Sequence, residues 1–195
     1  MKYSLLLLLF TLAGCATAPT VKSWMDPVSS ATITAQSEPI VLARNQEQAR
    51  PIDERDYAQL AAIEVNRMGE RRLYLVAILW STIARTGTQR QDFEKAFEQI
   101  EISLGERSVV LARHPGQLAE LGVGQSPLPL PILGSQQIYF PIERADLRAL
   151  ASSNRVQLVT QGVPDAPQRY EEWQDGRRSL SDFLSQLPGE AQALP

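Results

Sequence analysis

Two short glycine turns, each flanked by residues that alternate between apolar and polar, constrain this chain most. From Tyr57 it reads YAQLAAIEVNRMGERRLYLVAILWSTI. Ala61, Ile63 and Val65 are small or apolar, and Glu64 and Asn66 are polar. A period of two marks a strand, because successive side chains point to opposite faces. Gly69 can open a two-residue turn because it tolerates positive φ. With Gly69 and Glu70 in the turn, Val65 faces Tyr74, Ile63 faces Val76 and Ala61 faces Ile78. A slip of one residue would turn Val65 to the wrong side. The pattern recurs in QIEISLGERSVVLAR, Gln99 to Arg113. There Gly105 and Glu106 take the loop, and Leu104, Ile102 and Ile100 face Arg107, Val109 and Leu111. The two GER strings therefore read as hairpin tips rather than as a chemical motif.

Further strands are expected at Thr32–Gln36, Ile40–Arg44, Ile138–Ile142, Val156–Thr160 and Gln168–Trp173. Nine short strands with turn signals between them imply a mainly β fold. The expected architecture is an antiparallel β-sandwich, immunoglobulin-like in general outline, with one or two short helices covering a sheet face. Helical spacing of Ile142, Ala145, Leu147, Leu150 and Ala151 predicts one helix. Leu180, Phe183, Leu184 and Leu187 predict another, with Ser179 as its N-cap and Pro188 as its stop. Leu73 to Ile83 is apolar on both faces, so a helix is expected over its outer side. Pro127, Pro129 and Pro131 exclude a central strand there, and the leucines between them are expected to pack on the sheet.

The N-terminal twenty residues address location. Lys2 is followed by the apolar run Leu5–Leu12, then by Ala13, Gly14 and Cys15, the sole cysteine. A charged start, an apolar core and small residues form a secretory signal layout, too short to span a bilayer. The string LAGC, Leu12 to Cys15, resembles the bacterial lipoprotein signal. That resemblance implies a diacylglycerol on the Cys15 thiol, cleavage before it and acylation of the new N-terminus. Ala16, rather than aspartate, implies the outer membrane, facing the periplasm. The body resembles uncharacterised envelope lipoproteins of Gram-negative bacteria. The expected organisation is a signal peptide over 1–14, a lipidated N-terminus and tether over 15–30, a single β-sandwich domain over 31–187 and a flexible tail over 188–195. Trp24 is unusual for a loose tether and is expected to dock on the domain or lie near the membrane.

Charge and residue types narrow the chemistry. The chain has 19 basic and 22 acidic residues, and without residues 1–14, which hold only Lys2, the net charge is −4. A mildly acidic balance argues against nucleic acid as a partner. With Cys15 acylated no thiol remains for a disulfide or a thiolate metal site, so no metal and no cofactor is expected. One histidine, His114, and no Gly-x-Ser-x-Gly elbow argue against a hydrolytic triad. Asp53, Glu54 and Asp56 lie in the charged stretch ARPIDERDY, read as solvated. The expectation is a non-enzymatic binding or assembly module with an envelope protein partner. Its candidate contacts are Trp24, Tyr139, Phe140 and Trp173. The alternatives are a carrier of a lipid or hydrophobic ligand, and an envelope hydrolase using carboxylates alone.

Overall fold

The computed structural model describes residues 19–45, 54–116, 120–163 and 165–188. Its strands are β1 Val21–Met25, β2 Thr32–Gln36, β3 Ile40–Asn45, β4 Arg55–Arg67, β5 Glu70–Ser81, β6 Gln99–Leu104, β7 Arg107–Ala112, β8 Gln136–Pro141, β9 Gln157–Thr160 and β10 Arg169–Gln174. Its helices are α1 Gly87–Ala96, α2 Arg144–Ser152 and α3 Arg177–Gln186. The mainly β, antiparallel character follows the expectation. Where a sandwich would have two facing sheets, these ten strands join into one continuous sheet.

The length of β4 explains the single sheet. It is 13 residues long and pairs with β3 over 55–60 and with β2 over 63–66 along one edge, and with β5 over 56–67 along the other. From β3 the sheet continues through β10, β9, β6 and β7, and from β5 it continues to β8. A twisted sheet of this many strands curls. It rolls until the chain leaving β7 meets β8, where His114 donates its backbone N–H to Tyr139 O at 2.7 Å.

The register of the second hairpin is as expected, with Leu104 opposite Arg107 and Ile100 opposite Leu111. The first is offset. Met68 and Gly69 form the turn, with φ of 54° and 91°, and Val65 lies opposite Arg72, Ile63 opposite Tyr74 and Ala61 opposite Val76. Partners move by two positions, so every side chain keeps its face. A two-residue turn with positive φ at both places suits the twist of a hairpin. Asn66 Oδ1 fixes it by accepting the Gly69 N–H at 3.1 Å. Met68 is fully exposed and sits in the left-handed region, which is costly for a residue with a Cβ. Met68→Asn should therefore raise stability by about 1 kcal/mol. The check is a higher urea midpoint at an unchanged denaturant slope; a lowered midpoint would contradict the turn geometry.

The two-faced apolar strand β5 has two different covers. Leu75, Ala77 and Leu79 face the inside of the roll, with Leu60, Ile100, Phe140 and Tyr170. Leu147 and Leu150 of α2 and Leu180, Phe183 and Leu184 of α3 close this core. Tyr74, Val76 and Ile78 face outward, where Leu121, Val123 and Leu128 cover them. The outer cover is thus the proline-rich segment, not a helix. Of the leucines between the prolines, Leu128 packs and Leu130 is exposed. Asp26 pins this cover: Oδ1 accepts the Val28 and Ser29 N–H groups, both at 2.9 Å, and Oδ2 accepts that of Gly124 at 2.8 Å. The Ser29 amide leads the hydrogen bonds that hold the Asp26 carboxyl below its ordinary pKa.

The start of the fold also differs from expectation. Val21–Met25, read as part of a tether, pairs along its whole length with β2. Trp24 lies opposite Ile33 and packs, half-buried, on the outer core. Ser179 does not cap α3, whose N-cap is Gly176. Its hydroxyl instead donates to Thr20 O at 2.7 Å and accepts the Glu38 N–H at 3.2 Å. These bonds hold the chain's entry into the sheet against α3. At the other end of α3, Arg144 of α2 donates to the carbonyls of Leu184, Leu187 and Pro188. That satisfies backbone acceptors a helix end leaves open. The signal peptide over 1–14 and Cys15 lie outside the described residues, as do 189–195 of the expected tail.

Candidate functional site

The edges that meet where the sheet rolls up carry backbone groups without a strand partner. Antiparallel pairing alternates, so every second residue of an edge strand turns its N–H and C=O away from its neighbour. Along β7, Arg113 donates to Glu98 O at 2.9 Å, which assigns the odd positions to β6. Ser108, Val110 and Ala112 therefore point their backbone groups into the seam toward β8. On β8, Ile142 donates to Leu73 O at 3.2 Å, which assigns the even positions to β5. Gln137, Tyr139 and Pro141 face the seam, and Pro141 brings a carbonyl without an N–H. Among the described residues one backbone hydrogen bond crosses the seam, from His114 to Tyr139.

On either side of that bond the edges diverge into clefts. One, of about 610 Å³, lies against Tyr74, Val109, Val110, Leu111 and Pro141. An Arg107–Asp146 ion pair links the start of β7 to α2, beside it. The other, of about 600 Å³, lies against Arg113, Gly116, Gly124, Gln137 and Tyr139. His114 borders both. Its Nδ1 accepts the Gly116 N–H at 3.0 Å, and its ring stands edge-on to Tyr74 with centroids 5.9 Å apart. In the neutral ring the proton is thereby placed on Nε2, a donor. The arginines here are matched by carboxylates: Arg71 with Glu64 at 3.7 Å, Arg72 with Glu70 at 2.6 Å and Arg113 with Glu98 at 2.8 Å. The seam thus offers backbone hydrogen bonds, apolar walls and balanced charge, which suit an extended polypeptide better than a compact anion.

The two described carboxylates of the ARPIDERDY stretch are not solvated. Glu54 and Asp56 are buried, and Asp53 lies outside the described residues. Asp56 accepts from Arg44 and from Arg85, both at 2.6 Å, and Arg85 also reaches Glu54 at 3.1 Å. The Arg85 guanidinium lies 4.9 Å over the Phe93 ring. Burial pushes the Asp56 pKa up, but the two arginines outweigh it and hold the carboxyl below its ordinary value. Asp56 is thereby a fixed internal anion, poorly suited to donate a proton.

The four expected contact residues do not come together. Phe140 is fully buried in the core of the roll and cannot meet a partner. Tyr139 is also buried; its hydroxyl donates to Gln137 Oε1 at 3.0 Å, and burial pushes its pKa well up. Trp24 is half-buried, as above. Trp173 remains 59% exposed, edge-on to Tyr57 at 6.4 Å, with the Arg55 guanidinium 4.9 Å over its ring. In the sequence His114 served only as an argument against a hydrolytic triad. Only Pro115 after it hinted that a strand ends there. Among the described residues no group of three or more His, Cys, Asp or Glu side chains could hold a metal, and no helix is long and apolar enough to cross a membrane. No family model, curated protein or solved structure matches the chain.

Proposed function

We propose that this chain is an outer-membrane lipoprotein facing the periplasm, a non-enzymatic module that binds an extended segment of another envelope protein along the β7–β8 seam. The location rests on the Leu12–Cys15 signal. The binding role rests on one observation: strand edges turned toward each other across clefts of about 600 Å³, joined among the described residues by one backbone bond. Open edges of this kind pair with extended chains, and natural proteins otherwise protect them. The carrier alternative draws less support, because Phe97, Phe140, Tyr170 and Phe183 fill the inside of the roll. The hydrolase alternative would draw on Glu54 and Asp56, which Arg85 already engages.

The test places a photo-reactive side chain at position 110, in the seam, or at position 90, on the exposed face of α1, in the lipidated protein in its own envelope. Irradiation should give a discrete adduct with one envelope protein at 110 and none at 90. Val110→Pro, which removes the seam-facing N–H, should abolish the interaction while the protein stays folded. No adduct at 110, or the same adduct at both positions, would remove this reading.

A further inference from the structure

From Leu121 to Ile142 the chain has no charged residue. The first part of this stretch covers the outer core, but Pro129 to Gly134 is exposed at every position. Leu133 is fully exposed, and Leu130 and Ile132 are each 43% exposed. We infer that this tip is a second membrane contact, which dips into the same lipid leaflet that holds Cys15. The inference rests on the lipoprotein reading above.

Backbone chemistry favours lipid over a protein strand. A tip that reaches only the membrane interface keeps access to headgroup water, and every backbone donor that is missing or bonded internally lowers the cost of the contact. Pro127, Pro129 and Pro131 present no N–H at all. Ser135 closes the tip on itself: its hydroxyl accepts the Ile132 N–H at 3.4 Å and donates to Ile132 O at 2.8 Å, and its own N–H donates to Ile132 O at 3.3 Å. Gln136 Nε2 donates to Gly134 O at 3.3 Å. The same prolines prevent the tip from pairing with another strand. A second copy of the chain is a poor occupant, since a stable dimer needs about 800 Å² per partner and three apolar side chains offer far less. A membrane contact needs no such area when a lipid anchor already holds the protein at the surface.

The geometry permits both contacts at once. Cys15 to Val21 spans at most about 20 Å of chain. Val21 pairs with Gln36, and the tip re-enters the sheet at Gln136, opposite Leu79. Counting register, these points lie about 13 Å apart along the strands and about 19 Å across β1, β2, β4, β5 and β8. The leash and the tip can therefore reach one plane.

The experiment uses the full lipidated chain in vesicles of phosphatidylethanolamine and phosphatidylglycerol. Cys15 is blocked by its acyl group, so Leu133→Cys can be labelled alone with a polarity-sensitive fluorophore. Met68→Cys, an equally exposed apolar position at the β4–β5 turn, is the control. Lipids carrying a quencher in the acyl chain should quench the probe at 133 and leave that at 68 unaffected. Equal responses at the two positions, with Cys15 lipidated, would overturn the inference alone. Shielding at 133 that rises with protein density and needs no quencher lipid would assign the tip to a second copy and also overturn it. A free Cys15 thiol in the mass of the purified wild-type chain would overturn the lipoprotein reading, and the second contact would fall with it.

Discussion

Phe140→Ala lowers the unfolding free energy by about 3–5 kcal/mol, whereas Trp173→Ala changes it by about 1 kcal/mol or less. Both aromatic residues lie in expected strands, and both read in sequence as candidate contacts. Phe140 is fully buried opposite Leu75, inside the roll, where removing its ring opens a cavity among side chains that cannot all collapse into it. Trp173 lies on the outer face of β10 and loses mainly an edge contact with Tyr57 and the Arg55 guanidinium above it. Urea unfolding of the two variants side by side is the check. An unchanged midpoint for Phe140→Ala would place that ring outside the core and contradict the rolled sheet.

Asp56→Ala costs a similar amount, about 3–5 kcal/mol, for a different reason. The side chain is fully buried and holds two arginines, whose own side chains are only 23% and 16% exposed. Deleting the carboxylate leaves two guanidinium groups in a poorly hydrated place, and an unpaired charge there costs more than the pair contributed. A pH dependence follows with a definite sign. The folded pKa of Asp56 is depressed below its unfolded value, so the unfolded state binds the proton more readily. The carboxylate's contribution is complete above the unfolded pKa, about 4, and is lost as the pH falls through the lower, folded value. Stability of the wild type should therefore fall more steeply below about pH 4 than that of Asp56→Asn. Equal acid slopes would mean that Asp56 is not the ionised centre of this cluster.

Much of the fold was legible because it is encoded within a few residues of sequence. Alternation around Gly69 and Gly105 located both hairpins, and helical spacing located α2 and α3. The one-place error at the first turn arose because Gly69 was assigned the first turn position. Asn66 and the positive φ of Met68 put it second. β1 escaped because VKSWM shows no alternation. It buries only Val21 and half of Trp24, too little to produce a pattern. α1 escaped because it buries only Phe93 and Ala96, too little to produce a periodic stripe. The candidate site was almost illegible. Whether a strand edge is paired depends on where the sheet closes, and residues far apart in the chain decide that.

The amino-acid order alone settled the antiparallel pairing within the hairpins and the faces of the central strands, since each depends on local backbone preference and side-chain period. The tertiary structure alone decided that the strands form one rolled sheet, that Phe140 is core while Trp173 is not, and that Asp56 is buried between two arginines. It also decided that His114 stands where the edges meet. Those outcomes depend on the length of β4, which pairs two strands along one edge and one along the other, and on the twist that then brings β7 round to β8.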